Sequence, residues 1–127
     1  MQTHAANWFE IPVTDFDRAR KFYSRIFDYD MPHQEMAGAL MGFLPFEMGK
    51  GVGGAIILAE SMQPSPDGPR IYLNGGDDLQ PILDRVEAAG GQVDVPKTRI
   101  NDDIGYFAVF KDSEGNRLAL HSPPDGR

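Results

Sequence analysis

The chain contains no cysteine, which removes disulfides, thiolate nucleophiles and zinc–thiolate sites from consideration. It has no apolar run approaching the roughly 20 residues that a membrane-crossing helix needs. Its opening stretch, MQTHAANWFEIPV, has neither a basic leader nor the apolar core of a secretory signal, and the expectation is a cytoplasmic protein. Positive charge is scarce: 12 Lys and Arg face 19 Asp and Glu, for a formal net charge of −7. That balance argues against a broad surface for nucleic acid or for anionic membranes, and leaves a small molecule and other protein chains as expected partners. What is present is ordinary for a globular chain, with 41% hydrophobic and 24% charged residues. The 127 residues suit one domain, spanning 1–127, long enough to bury something like ~65% of its unfolded surface.

Hydrophobic spacing sets out the elements. Phe9, Ile11 and Val13 alternate with Trp8, Glu10 and Pro12, the pattern of a strand with one buried face. Asp15 is placed to cap a helix in which Phe16, Ala19, Phe22, Tyr23, Ile26 and Phe27 recur at spacings of three and four. Proline and glycine then break Tyr29 to Leu58 into what fits three short strands, with His33 in a loop. Ser61 to Pro69, a polar and proline-rich connector, is the best internal boundary. After it the plan restarts: an extended Arg70 to Asn74, a helix beginning at Asp77 or Asp78 and stopped by Gly90-Gly91, and strands over Gln92 to Lys97, Gly105 to Lys111 and Arg117 to Ser122.

The order βαβββ therefore occurs twice, in modules of about 5–62 and 69–123, related by an offset of about 62 residues. The fold class expected is α+β. Each module's sheet has one face covered by its helix and one left open. Two open faces turned toward each other would make a partly closed, curved sheet around a central groove, helices outside, where a small ligand would sit.

Residues 8–15 (WFEIPVTD), Lys21-Phe22-Tyr23, Glu87-Ala88-Ala89-Gly90-Gly91 and the closing residues 110–117 (FKDSEGNR) resemble the vicinal oxygen chelate superfamily, which includes glyoxalase I, bleomycin resistance proteins and extradiol dioxygenases. The resemblance covers nearly the whole chain and is most similar to short bacterial glyoxalase-like proteins. It implies the paired-module fold and a homodimer. In metal-dependent members the resemblance implies His, Glu or Gln ligands on the first strand of each half and carboxylates on the fourth. The matching positions here are Trp8, Arg70, Ala119 and a residue near Ile57, none of which offers a donor to a divalent ion. No cofactor is expected, and a metal at a displaced position stays open.

If the strands pair as the family's do, Glu10, Arg70, Tyr72, Asn74, Arg117 and His121 converge on one cavity walled by Trp8, Tyr106 and Phe110. Three readings stay open. Glu10 and His121 satisfy each other or a neighbour as buried polar groups. Alternatively, Trp8, Arg70, Tyr72, Asn74, Tyr106 and Arg117 bind a ligand, with Trp8 on its apolar part. In the third, His121 and Glu10 are catalytic, as general bases or shifted metal ligands of a glyoxalase-type lyase or isomerase. Gly49 to Gly54 satisfies a GxGxxG pattern but leads into a strand, so no helix terminus meets a phosphate. Met31, Met36, Met41 and Met48 are either an adaptable groove wall or ordinary core.

Overall fold

Alternation at Trp8–Pro12 produces the first strand, β1, in a computed structural model that describes residues 4–47 and 49–125. There follow α1 (Phe16–Ile26), β2 (His33–Met36), β3 (Ala39–Phe43), β4 (Gly53–Leu58), β5 (Tyr72–Asn74), α2 (Gln80–Val86), β6 (Gln92–Asn101), β7 (Gly105–Lys111) and β8 (Arg117–Ser122). These form two four-stranded mixed sheets, ordered β1-β4-β3-β2 and β5-β8-β7-β6. In each, the first strand pairs in parallel with the last and the remaining pairs are antiparallel. The fold is thus α+β, twice βαβββ, and neither sheet closes on itself. The chain divides into two compact units between Pro64 and Ser65, inside the connector read from composition.

In the first unit, Asp15 caps α1 by accepting the Arg18 N–H at 3.0 Å. The apolar stripe Phe16, Ala19, Phe22, Tyr23 and Ile26 is buried, together with Ile11, Val13 and Ile56, and α1 packs on β4. The helix ends with Asp28 in the left-handed region, φ 54°. The Tyr29 N–H then reaches back to the Ser24 carbonyl and the Asp28 N–H to that of Arg25, a Schellman closure that sends Tyr29 toward the sheet. Arg20 Nε donates to the Met31 carbonyl at 2.8 Å, and the Met31 N–H donates to Ser24 Oγ. The loop that leads into β2 is thereby tied to the helix.

His33 opens a strand, not the loop its sequence suggested. HQEM has no apolar alternation, and all of β2 is exposed. What makes it a strand is the turn after it, where Ala37 and Gly38 both take positive φ (50° and 82°). This is the conformation that closes a two-residue hairpin onto β3.

In the second unit β7 and β8 occupy the stretches expected. The helix starts later than expected, at Gln80, with Pro81 in its first turn and Asp78 Oδ1 accepting the Gln80 N–H. Strand β6 runs on through Pro96 to Asn101, with register shifts against β7; as an edge strand it tolerates the proline. The turn between β7 and β8 is held by Asp112, only 4% exposed. Its carboxylate accepts the N–H groups of Glu114 and Asn116 and the Asn116 side-chain amide, at 2.8 to 3.0 Å. Gly115 supplies the positive φ of 91°, and Asn116 Oδ1 accepts the Ser65 N–H. This cluster is what the Asp-x-x-Gly-Asn pattern encodes. Asp112→Ala leaves buried donors unpaired and is expected to cost about 1–3 kcal/mol, read as a lower midpoint in thermal melting; an unchanged midpoint contradicts the assignment.

Candidate ligand cavity and the open sheet faces

Residues paired across a ladder share a face, and successive residues alternate between faces. In the first sheet this puts Trp8, Glu10 and Pro12 of β1, Gly53, Ala55 and Ile57 of β4, Met41 and Phe43 of β3, and Gln34 and Met36 of β2 on the face opposite α1. The middle strand contributes small side chains there, and larger ones lie over it. Phe46 sits on Gly53, where an added Cβ would stand 2.5 Å from its ring. Trp8 meets Phe46 edge-on at 5.7 Å between centroids and Phe43 at 6.3 Å.

These rings bound a cavity of about 860 Å³. Trp8, Phe43 and Phe46 line it together with Met36, Met41 and Leu44, and Tyr29, Pro32, His33, Gln34 and Pro45 complete the described lining with Glu10. Tyr29 donates its hydroxyl proton to the Phe43 carbonyl at 2.7 Å, and burial pushes its ionisation above the ordinary tyrosine range. It is therefore a wall and a brace, not a proton donor to a ligand. The Glu10 carboxylate has no hydrogen bond or ion pair to another described residue. Of the methionines, Met36 and Met41 line the cavity. Met31 is fully buried in the core near Gly42, and Met48 lies outside the described residues.

The second sheet carries most of the other candidates. Tyr72 and Asn74 pair with Ala119 and His121, and Phe107 pairs with His121, so these share a face. Tyr72 is 54% exposed. Asn74 Oδ1 accepts the Gly76 N–H, which fixes the turn after β5. His121 Nε2 lies 2.7 Å from the Ile104 carbonyl; since that partner only accepts, Nε2 carries the proton and Nδ1 is the atom left for other work. Arg70 precedes β5 in an exposed position.

Two expectations fail in this unit. Tyr106 and Phe110 pair with Ser122 and Leu118, the alternate row, so they lie on the face opposite to His121. Phe110 is buried, and the Tyr106 hydroxyl bonds Asp125 at 2.6 Å, which raises its pKa. Arg117 shares the His121 face but stands four residues up the strand, about 13 Å away, with Nε held by Asp94 at 2.9 Å. Trp8 and Glu10 belong to the first unit and the remaining candidates to the second.

The register also fixes which positions correspond between units. The Val13 N–H bonds the Ile57 carbonyl as the Gly75 N–H bonds that of His121. Ala55, beside Glu10, is then the counterpart of Ala119, beside Tyr72. The first-half position sought near Ile57 is thus two residues earlier. The four positions at which the resemblance implies metal ligands hold an indole, a guanidinium and two methyl groups, which do not fit a divalent ion. Among the described residues no three His, Cys, Asp or Glu cluster to hold one elsewhere.

The model of the Glyoxalase/Bleomycin resistance protein/Dioxygenase superfamily matches residues 5–120, and the chain belongs to that superfamily. It is 30% identical over 118 residues to CFP32 of Mycobacterium bovis, a protein named as a glyoxylase; the match takes in 90% of this chain but only 44% of that one. It is 29% identical over 121 residues to a glyoxylase-like domain-containing protein of Didymella fabae, covering 91% of each. Among solved structures, TnmS3, an antibiotic binding protein from Streptomyces sp. CB03234, superposes with a TM-score of 0.66 at 25% identity, covering 97% of this chain and 98% of that one.

Tyr29, Pro32, Leu44, Pro45 and Phe46 were missed from the sequence because they come from loops with no periodicity. The available signal was the aromatic pair Phe43 and Phe46, straddling Pro45 beside a strand. Gly53→Ala is expected to displace Phe46 from β4, destabilise the fold by about 1–3 kcal/mol and alter the emission of Trp8, the chain's one tryptophan. Unchanged emission contradicts this packing.

Proposed function

We propose that the protein binds a small organic molecule in the cavity on the open face of its first sheet, without a divalent metal. The observation that carries the reading is that cavity: its volume of about 860 Å³ suits a drug-sized ligand, and apolar and aromatic walls with few polar groups are what such sites have. The antibiotic-binding TnmS3, alike over almost its whole length, supports a small-molecule ligand. The metal-free part rests on Trp8, Ala55, Arg70 and Ala119 standing where ligands are needed. The same reading takes the protein to be cytoplasmic and a homodimer, whose edge strands need covering.

A second reading is a glyoxalase-type lyase or isomerase acting on a small oxygenated metabolite, favoured by the free Nδ1 of His121 and by one relative named as a glyoxylase and another as a glyoxylase-like domain-containing protein. In it His121 and Glu10 serve as bases or shifted metal ligands. Removing such a base lowers turnover by about 10²–10⁴, so His121→Ala separates the two. The binding reading itself predicts that apolar aromatic compounds raise the melting temperature progressively with the logarithm of their concentration above Kd, that Trp8→Ala and Phe46→Ala abolish the rise, and that a series of divalent metals gives none. A metal-dependent rise, or a ligand response that survives both substitutions, overturns it.

A further inference from the structure

We propose that the ligand of the first-unit cavity is a cation with an apolar or aromatic body, an ammonium-bearing molecule for which Glu10 is the counter-ion. This rests on the cavity being the binding site and adds the charge of what it takes. Among the described residues, Glu10 is the one carboxylate in the lining, and no lysine or arginine lines the cavity with it. It has no partner of its own among the described residues, and it is half-buried on the same face as Trp8 and Phe43. A carboxylate covered by an apolar ligand without a compensating group loses its water for nothing in return. An ammonium resolves that cost by pairing with it. The surrounding rings add to the preference, because the faces of indole and phenyl groups attract a cation.

The other polar groups do not reverse this. Tyr29 has already committed its proton to the Phe43 carbonyl, and Gln34 is neutral. His33 lies on the edge strand with its ring against Phe16, 6.2 Å between centroids. The net charge of −7 draws cations toward the protein from a distance. The sequence alone pointed the other way, since Arg70 and the polar cluster with it suit an anionic or polar ligand. Among the described residues no guanidinium lines this cavity, and Arg117 pairs with Asp94.

Three probes of matched shape test the inference: 4-butylbenzylammonium, 4-butylbenzyl alcohol and 4-butylphenylacetate, titrated at pH 7.5 and low salt, with affinity read by calorimetry and by Trp8 emission. The ammonium is expected to bind about tenfold or more tighter than the alcohol, and the carboxylate weakest. Glu10→Gln is expected to erase the preference for the ammonium while leaving the alcohol's affinity within about twofold, which a merely misfolded variant would not do. Equal binding of all three, tightest binding of the carboxylate, or a preference that survives Glu10→Gln overturns the charge assignment and leaves the cavity reading intact. No response of Trp8 to any probe overturns both.

Discussion

The parallel pairing of β1 with β4 is the constraint on which the first unit depends. It puts Trp8 and Glu10 beside Gly53 and Ala55, and so places the two smallest side chains on the middle strand just where the flanking side chains are largest. A sheet face normally buries itself by interdigitating large residues. Here the small central residues let Phe46 lie down on the backbone while Trp8 and Phe43 stand around it, and a cavity remains where side chains would otherwise fill the face. The pairing is the reason the chain runs through α1 and two further strands before it returns, since a parallel partner cannot be reached by a tight turn. The helix closure at Asp28 and Tyr29 then delivers the hydroxyl that braces the Phe43 carbonyl, so the far wall of the cavity is set by how α1 ends.

The two halves share one topology and use it differently. At the position of Glu10 the second unit has Tyr72, and at that of Ile57 it has His121. Beside these positions, on the last strand of each half, both units carry a methyl group, Ala55 and Ala119. One half has kept a lone carboxylate among aromatic rings, and the other a histidine whose Nε2 is spent on a backbone carbonyl. A lone carboxylate in an apolar setting calls for a partner more strongly than an imidazole that is already half satisfied, and the functional argument therefore rests on the first unit.

Much of this was legible in the residues. The period-two run at Trp8 and the period-three-and-four stripe from Phe16 gave strand and helix because both are amphipathic, and repetition of that pair after Pro69 gave the doubled α+β plan. The Asp112 to Asn116 turn holds itself, since the Asp112 carboxylate satisfies the turn's own backbone. What escaped was set by pairing rather than by local pattern. Strand β2 exists because Ala37 and Gly38 turn it onto β3, not because HQEM favours extension. The position of Tyr106 followed from counting pairs across β7 and β8, a parity that sequence cannot supply, and this moved it to the face opposite His121. Glu10 and Trp8 were picked out correctly as open-face residues, whereas the loop residues that complete their cavity had no periodicity to betray them.

The central claim is that the open face of the first sheet holds the ligand. Methyl-labelled methionine gives the most direct view of it by NMR, because Met36 and Met41 line the cavity while Met31 is enclosed in the core of the same unit. On titration with a bound small molecule the account predicts that the Met36 and Met41 methyl resonances move together and saturate, and that Met31 stays in place. Saturable binding that leaves Met36 and Met41 unmoved would contradict it.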